Sequence, residues 1–387
     1  MRSRWMWALL ALLGVALVGW LVVSMRPEST DGSAQPTPSA TAPAEQQTLL
    51  IQVRNDADLG ANNMVAGVGG GLPAAQLLVP SRLIVDVPGA GQQTLGQSAR
   101  LLDRSASQDA LSDLLALRID GTLSLARLAL VGMVDFVGGI TIDVDQPITV
   151  TDEATGVETV VVPSGTQTLD GQQAATYALA WLPDEPEAAR LARYSQVMTA
   201  TISRLPDDAL RIEQMLTSLG ASARTTTTTQ EVAEFLLEMR GSILEGGQQV
   251  RVLPTTDIEA GETLAVVRVD LVAAETVIDS LLPQAVLTGA ESNPRVLVQN
   301  GVGTPGLGGS ARDRLVAAGM VYINGGNAEL FDLPQTIVIV EDGSAESLTL
   351  GAEVAAALGV PATSVQVAED GQNVADVVVI LGADYQP

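Results

Sequence analysis

Two glycine-punctuated blocks constrain this chain more than any other feature. The first, "MVDFVGGITIDVDQPI" from Met133, reads as a helix end, a break at Gly138-Gly139 and an alternating strand over Ile140 to Val144, closed by Pro147. The second, "VPSGTQTLDGQQAATYALAWLPDEPEAARLARYSQ" from Val162, turns at Gly165 and passes through Leu169-Asp170-Gly171. It then opens an alanine-rich helix from Gln172 to about Trp181. An acidic, proline-broken loop over Pro183 to Glu187 follows, then a second helix carrying Arg190 and Arg193. Three residues apart on one helix, those two arginines share a face.

Chemistry is bounded by what the chain lacks. It has no Cys and no His, so disulfides, thiol nucleophiles, the usual zinc sites and histidine bases are all absent. A triad hydrolase in its common form is excluded. A net charge of −25 argues against nucleic acid as a partner, because like charges repel. Aromatic residues make up 3% against 47% hydrophobic, so the core must be built from Val, Leu, Ile and Ala.

The N-terminus predicts export. Arg2 and Arg4 precede an apolar run from Trp5 to Met25, long enough at about 20 residues to cross a bilayer. Trp5, Trp7 and Trp20 sit near its ends, as interfacial aromatics do, and the flanking arginines place the N-terminus in the cytoplasm. The expectation is a single-pass membrane protein: an uncleaved anchor over 1–25, a disordered Pro/Ser/Thr tether over 26–47, and folded domains outside the cell.

Together the two blocks resemble the LytR-CpsA-Psr family, extracytoplasmic enzymes that move lipid-linked glycopolymers onto the cell wall. Asp135, Gly138, Gly139, Asp143, Gly165, Leu169, Asp170, Gly171, Ala174 and Tyr177 match its scaffold pattern. The resemblance implies an α/β fold, a mixed sheet flanked by helices, over 48–287. It also implies a divalent metal held by carboxylates and a lipid pyrophosphate held by arginines. At the metal positions stand Arg54-Asn55-Asp56 and, on the next strand, Asn62 or Asn63 in place of an aspartate; Asp56 and Asp58 would serve only if the loop shifts register. Arg82 is displaced by one residue from the family's phosphate arginine, a slip that on a strand reverses a side chain's direction unless a bulge restores it. Leu179 and Trp181 replace two further arginines and predict an apolar lip suited to an isoprenoid tail. Arg190 and Arg193 match the family helix and are the leading phosphate-binding candidates, although Tyr194 and Ser195 replace its glutamines. Their competing partners are Glu185 and Glu187.

The scaffold is kept while the chemistry is not. The leading reading is a degenerate member that binds a polyprenyl-linked glycopolymer, or a partner transferase, without turnover. One alternative is an active Mg2+-dependent phosphotransferase acting through Asp56, Asp58, Arg82, Arg190 and Arg193; another is a structural adaptor to cell-wall polymer.

After a short linker, residues 294–385 resemble the LytR C-terminal domain through "VLVQNGVGTPGLGGSARDRLVAAGM", "GNAE" and "DVVVILGADY". The predicted order is β-α-β-β-α-β, a split sandwich, and a fragment from about residue 290 onward is expected to fold alone. "GVGTPG" spells a dinucleotide fingerprint, but Pro305 lacks a phosphate-facing N–H and no acid closes the next strand, so it reads as tight-turn glycines. Thr228 with Glu231 has capping-box spacing and predicts a helix start.

Overall fold

A computed structural model describes residues 45–387 apart from 88–89, 152–155, 183–184, 259–265, 288–292, 305, 329–330, 369–374 and 387. The expected anchor and nearly all of the tether lie outside the described residues. Among those described, no helix is long and apolar enough to cross a membrane.

A six-stranded mixed sheet organises the larger part of the chain. Its strands run in the order Ala223–Thr225, Gly121–Ala126, Gln47–Arg54 (β1), Gly60–Val68 (β2), Ala74–Val79 (β3) and Gln248–Val252. β1 pairs parallel with Gly121–Ala126 and antiparallel with β2, while β3 pairs antiparallel with β2 and parallel with Gln248–Val252. Four strands therefore point one way, and Arg54, Val79, Ala126 and Val252 end at one edge. β2 is buried along its whole length because both sheet faces are covered. One face packs the helices Arg127–Phe136, Gly171–Leu179, Glu187–Ser203 and Thr229–Leu244, and the other packs Ala106–Leu115 and Leu271–Leu281.

The motif glycines have local causes. Gly138 and Gly139 both adopt positive φ, and a Cβ on Gly139 would stand 2.8 Å from the Leu169 carbonyl oxygen. The strand Ile140–Val144 then pairs with Gly165–Leu169, and Asp170 caps the helix Gly171–Leu179 in a capping box with Gln173. The Thr228–Glu231 box is formed as well, at the head of Thr229–Leu244.

The stretch around residues 95–132 reads as helical, yet Gly121–Ala126 is a central strand. Its leucines recur at alternate positions, and Arg127 begins a helix with no intervening turn to mark the change.

The C-terminal part forms a five-stranded sheet in the order Val321–Asn327, Arg295–Asn300, Val377–Leu381, Ile337–Val340, Val365–Val367. The β-α-β-β-α-β order is present with one short extra strand, Val365–Val367. The split arrangement is not, because Arg295–Asn300 and Val321–Asn327 pair directly and in parallel. This sheet is docked on the larger one: Ile323 and Ala375 enter the core that holds Leu83, Leu111 and Leu114. Arg312 forms a two-pronged ion pair with Asp86, its Nη2 lying 2.7 Å from Oδ1. Arg295 donates to the Leu114 carbonyl at 3.0 Å, and Arg268 to that of Gly325 at 2.9 Å.

Candidate functional site

The helix Glu187–Ser203 presents its first turn to the segment that leaves β3. Pro80 to Arg82 form a turn rather than strand, so the alternation that would reverse Arg82 does not apply there. Arg82 accordingly reaches the same cluster as Arg190. At the centre of that cluster lies the buried carboxylate of Glu187. Its Oε1 accepts from the Ser81 N–H at 2.7 Å, the Ser81 hydroxyl at 2.6 Å and Arg190 Nη2 at 2.6 Å. Its Oε2 accepts from Arg82 Nε at 3.0 Å. Burial alone would raise the Glu187 pKa, but the hydrogen bonds from Ser81 and Arg82 and the charge of Arg190 outweigh it and hold the group below the ordinary carboxylate range. Burial lowers the Arg190 pKa, opposed by Glu187.

Trp181 lies across this cluster. The Arg190 guanidinium carbon sits 4.5 Å from its ring centroid and that of Arg82 5.8 Å away. Trp181 is half exposed but carries cations on its ring, and Leu179 packs partly buried against the core. The ring's electron-rich face draws the guanidinium groups that its neighbours supply.

Arg193 points inward as well but to a separate partner set. It pairs with Glu185, with Nη2 to Oε2 at 2.9 Å, and donates to the carbonyls of Tyr177 at 3.1 Å and Ala180 at 2.6 Å. With Asp145, Tyr177 and Gln196 it lines a cavity of about 370 Å3. Next along the helix, Tyr194 and Ser195 face the sheet. The Tyr194 hydroxyl donates to the Ile51 carbonyl at 3.0 Å, and that of Ser195 to Gln76 at 2.7 Å.

The candidate metal residues each meet other surroundings. Asn62 is buried and donates its Nδ2 to the Ala178 carbonyl at 2.8 Å. Asp58 is taken by Arg54 and lies 3.7 Å from Arg224, while Asp56 is exposed on the loop. Among the described residues, no group of three or more Asp, Glu, His or Cys is placed to hold a metal. Sequence reasoning named Glu187 only as a competing partner and Ser81 only as the residue standing where the family's phosphate arginine belongs. The Glu187–Arg190 spacing was the available signal; the Ser81 contact spans 106 residues and left none.

Comparison with known proteins follows the same outline. Residues 84–277 match the LytR_cpsA_psr family, and residues 293–385 match the domain described as LytR cell envelope-related transcriptional attenuator. The crystal structure of B. subtilis TagV superposes with a TM-score of 0.52 at 15% identity, covering 63% of this chain and 99% of that one. Protein gbs0355 from Streptococcus agalactiae superposes with a TM-score of 0.53 at 15% identity, covering 64% and 91%. At such identities the likeness shows the fold alone. Among curated proteins nothing matches.

Proposed function

The chain belongs to the LytR_cpsA_psr family, and from that premise we propose that it is an anchored protein of cell-envelope biogenesis that binds a polyprenyl-linked glycopolymer without turning it over. The observation that carries the reading is Asn62. The family resemblance puts a metal-binding aspartate at Asn62 or Asn63, and Asn62 faces the Ala178 carbonyl oxygen at hydrogen-bond distance. That neighbour selects a donor and would repel a carboxylate. Phosphoryl transfer relies on charge stabilisation by metal and arginines together, and losing one such donor typically costs about two to three orders of magnitude.

Active transfer through shifted carboxylates is disfavoured, because Asp58 is already paired with Arg54. A partner transferase stays as the second ligand class of the same reading. Purified protein given a polyprenyl pyrophosphate glycan with Mg2+ or Mn2+ is expected to retain it and release no phosphate. Metal-dependent turnover that disappears on Asp56→Ala would restore the enzyme reading. Simultaneous Arg190→Ala and Arg193→Ala should weaken binding.

A further inference from the structure

We infer that the pocket formed by Ser81, Arg82 and Arg190 is a complete anion site occupied by the chain's own Glu187 carboxylate, and that Glu187 thereby sets which ligands the site admits. The inference rests on the reading above only for the ligand class, a phosphate or pyrophosphate group.

Four donors converge on one carboxylate: a backbone N–H, a hydroxyl and two guanidinium nitrogens, all within 3.0 Å. This is the donor set that recognises a phosphate oxygen. Arg190 and Glu187 are each 4% exposed by side chain, so the carboxylate is enclosed rather than resting on a surface. Arg190 Nη2 also reaches Ser81 Oγ at 3.1 Å, which closes the ring of contacts. Arg82 and Arg190 both pair with Glu187, while Arg193 pairs with Glu185. An incoming phosphate must displace Glu187 to gain the donors. A ligand engaging only through its sugar or its hydrocarbon tail meets no such barrier. Specificity is set here by an internal competitor, and removing its charge should open the site to anions.

Trp181 supplies the readout. It is the only tryptophan outside the N-terminal apolar run, and Arg190 lies on its ring. The experiment uses the full-length chain in detergent with Trp5, Trp7 and Trp20 changed to Phe, and follows Trp181 fluorescence. One arm titrates inorganic pyrophosphate, the other polyprenyl phosphate in micelles. Glu187→Gln should bind tighter than the parent by about tenfold or more, and adding Arg190→Ala should abolish that gain. A gain in both arms assigns the site to the phosphate group itself; a gain in one alone assigns it to a lipid headgroup or to the free anion.

Because Glu187→Gln removes the counter-charge that buried Arg190 holds, Ser81→Ala serves as a second variant that loosens Glu187 and keeps both arginines. It should give a smaller gain of the same sign. No gain in folded Glu187→Gln, or in Ser81→Ala where the first variant does not fold, would overturn the inference, as would a gain that survives Arg190→Ala. Turnover of a pyrophosphate glycan would overturn the non-catalytic reading and leave this result standing.

Discussion

Asp135 Oδ1 accepts the backbone N–H of Gly171 at 2.7 Å, joining two residues that lie 36 apart in the chain. The contact pins the start of the helix Gly171–Leu179 against the helix Arg127–Phe136, and it requires glycine. A Cβ at 171 would stand 2.8 Å from that same oxygen and closer still to the Val131 carbonyl oxygen. Both obstacles are fixed, one by backbone and one by the hydrogen bond itself.

Gly171→Ala should therefore destabilise the protein despite alanine's better helix propensity, by about 1–3 kcal/mol in line with overpacked interiors. Denaturant melts of the variant beside Gly165→Ala would check it. Gly165 has positive φ but open space around it, so its cost should be smaller.

The Glu187 cluster predicts an acid dependence of stability. The carboxyl is held below its ordinary range, so its contribution is present above the unfolded value of about 4.3 and is lost as pH falls through the folded value. Glu185, also lowered despite burial by its contacts with Arg193 and Leu182, acts in the same window. The parent should melt higher than Glu187→Gln at neutral pH, and the gap should close below about pH 4. Melting curves from pH 3 to 7 test this; a gap that widens on acidification would contradict the sign.

Much of this architecture was legible because its causes are local. The strand Ile140–Val144 lies where its alternation and flanking glycines put it, and Thr228–Glu231 forms the expected box. The strand Gly121–Ala126 was not legible, since it is covered on both faces and runs straight into a helix. At the site, the common face of Arg190 and Arg193 could be read from spacing, but their division between Glu187 and Glu185 could not. The reach of Arg82 depends on a turn that reads as strand end in sequence, and the Trp181 stack depends on where that turn delivers a guanidinium. These are consequences of long-range packing, which periodicity does not encode.

The two sheets are coupled at Asp86, which lies on the strand Ile84–Val87 just beyond the Ser81-Arg82 turn. Arg312→Ala should loosen the docked C-terminal sheet and raise hydrogen exchange in Val321–Asn327 and in the paired strands Ile84–Val87 and Gly91–Thr94, a hairpin pair, together. Arg314→Ala is the control. Arg314 caps Leu358 at 2.7 Å within the C-terminal part, so its loss should leave that hairpin unchanged. Because Ile323 and Ala375 sit in the shared core, a fragment from residue 290 onward should melt lower than the same sheet in the full chain.

Asn62 gives the sharpest test of the non-catalytic reading. Restoring the aspartate of the family pattern looks like the way to recover a metal site, yet Asn62→Asp exchanges a donor for an acceptor against the Ala178 carbonyl oxygen. A buried carboxylate facing an acceptor protonates instead, so its pKa should rise above the unfolded value of about 3.9. The penalty is then smallest at low pH, where the acid's O–H can donate to Ala178, and it grows as pH climbs past the unfolded value. Leaving the buried group mismatched should cost about 1–3 kcal/mol at neutral pH. Addition of Mg2+ should recover none of it, because Asp58 stays with Arg54 and Asp56 stays on the exposed loop. Thermal melts of Asn62→Asp with and without Mg2+ decide the matter. A melting temperature raised by metal, together with new phosphate release, would show that the carboxylates can assemble and that only residue 62 separates this chain from catalysis.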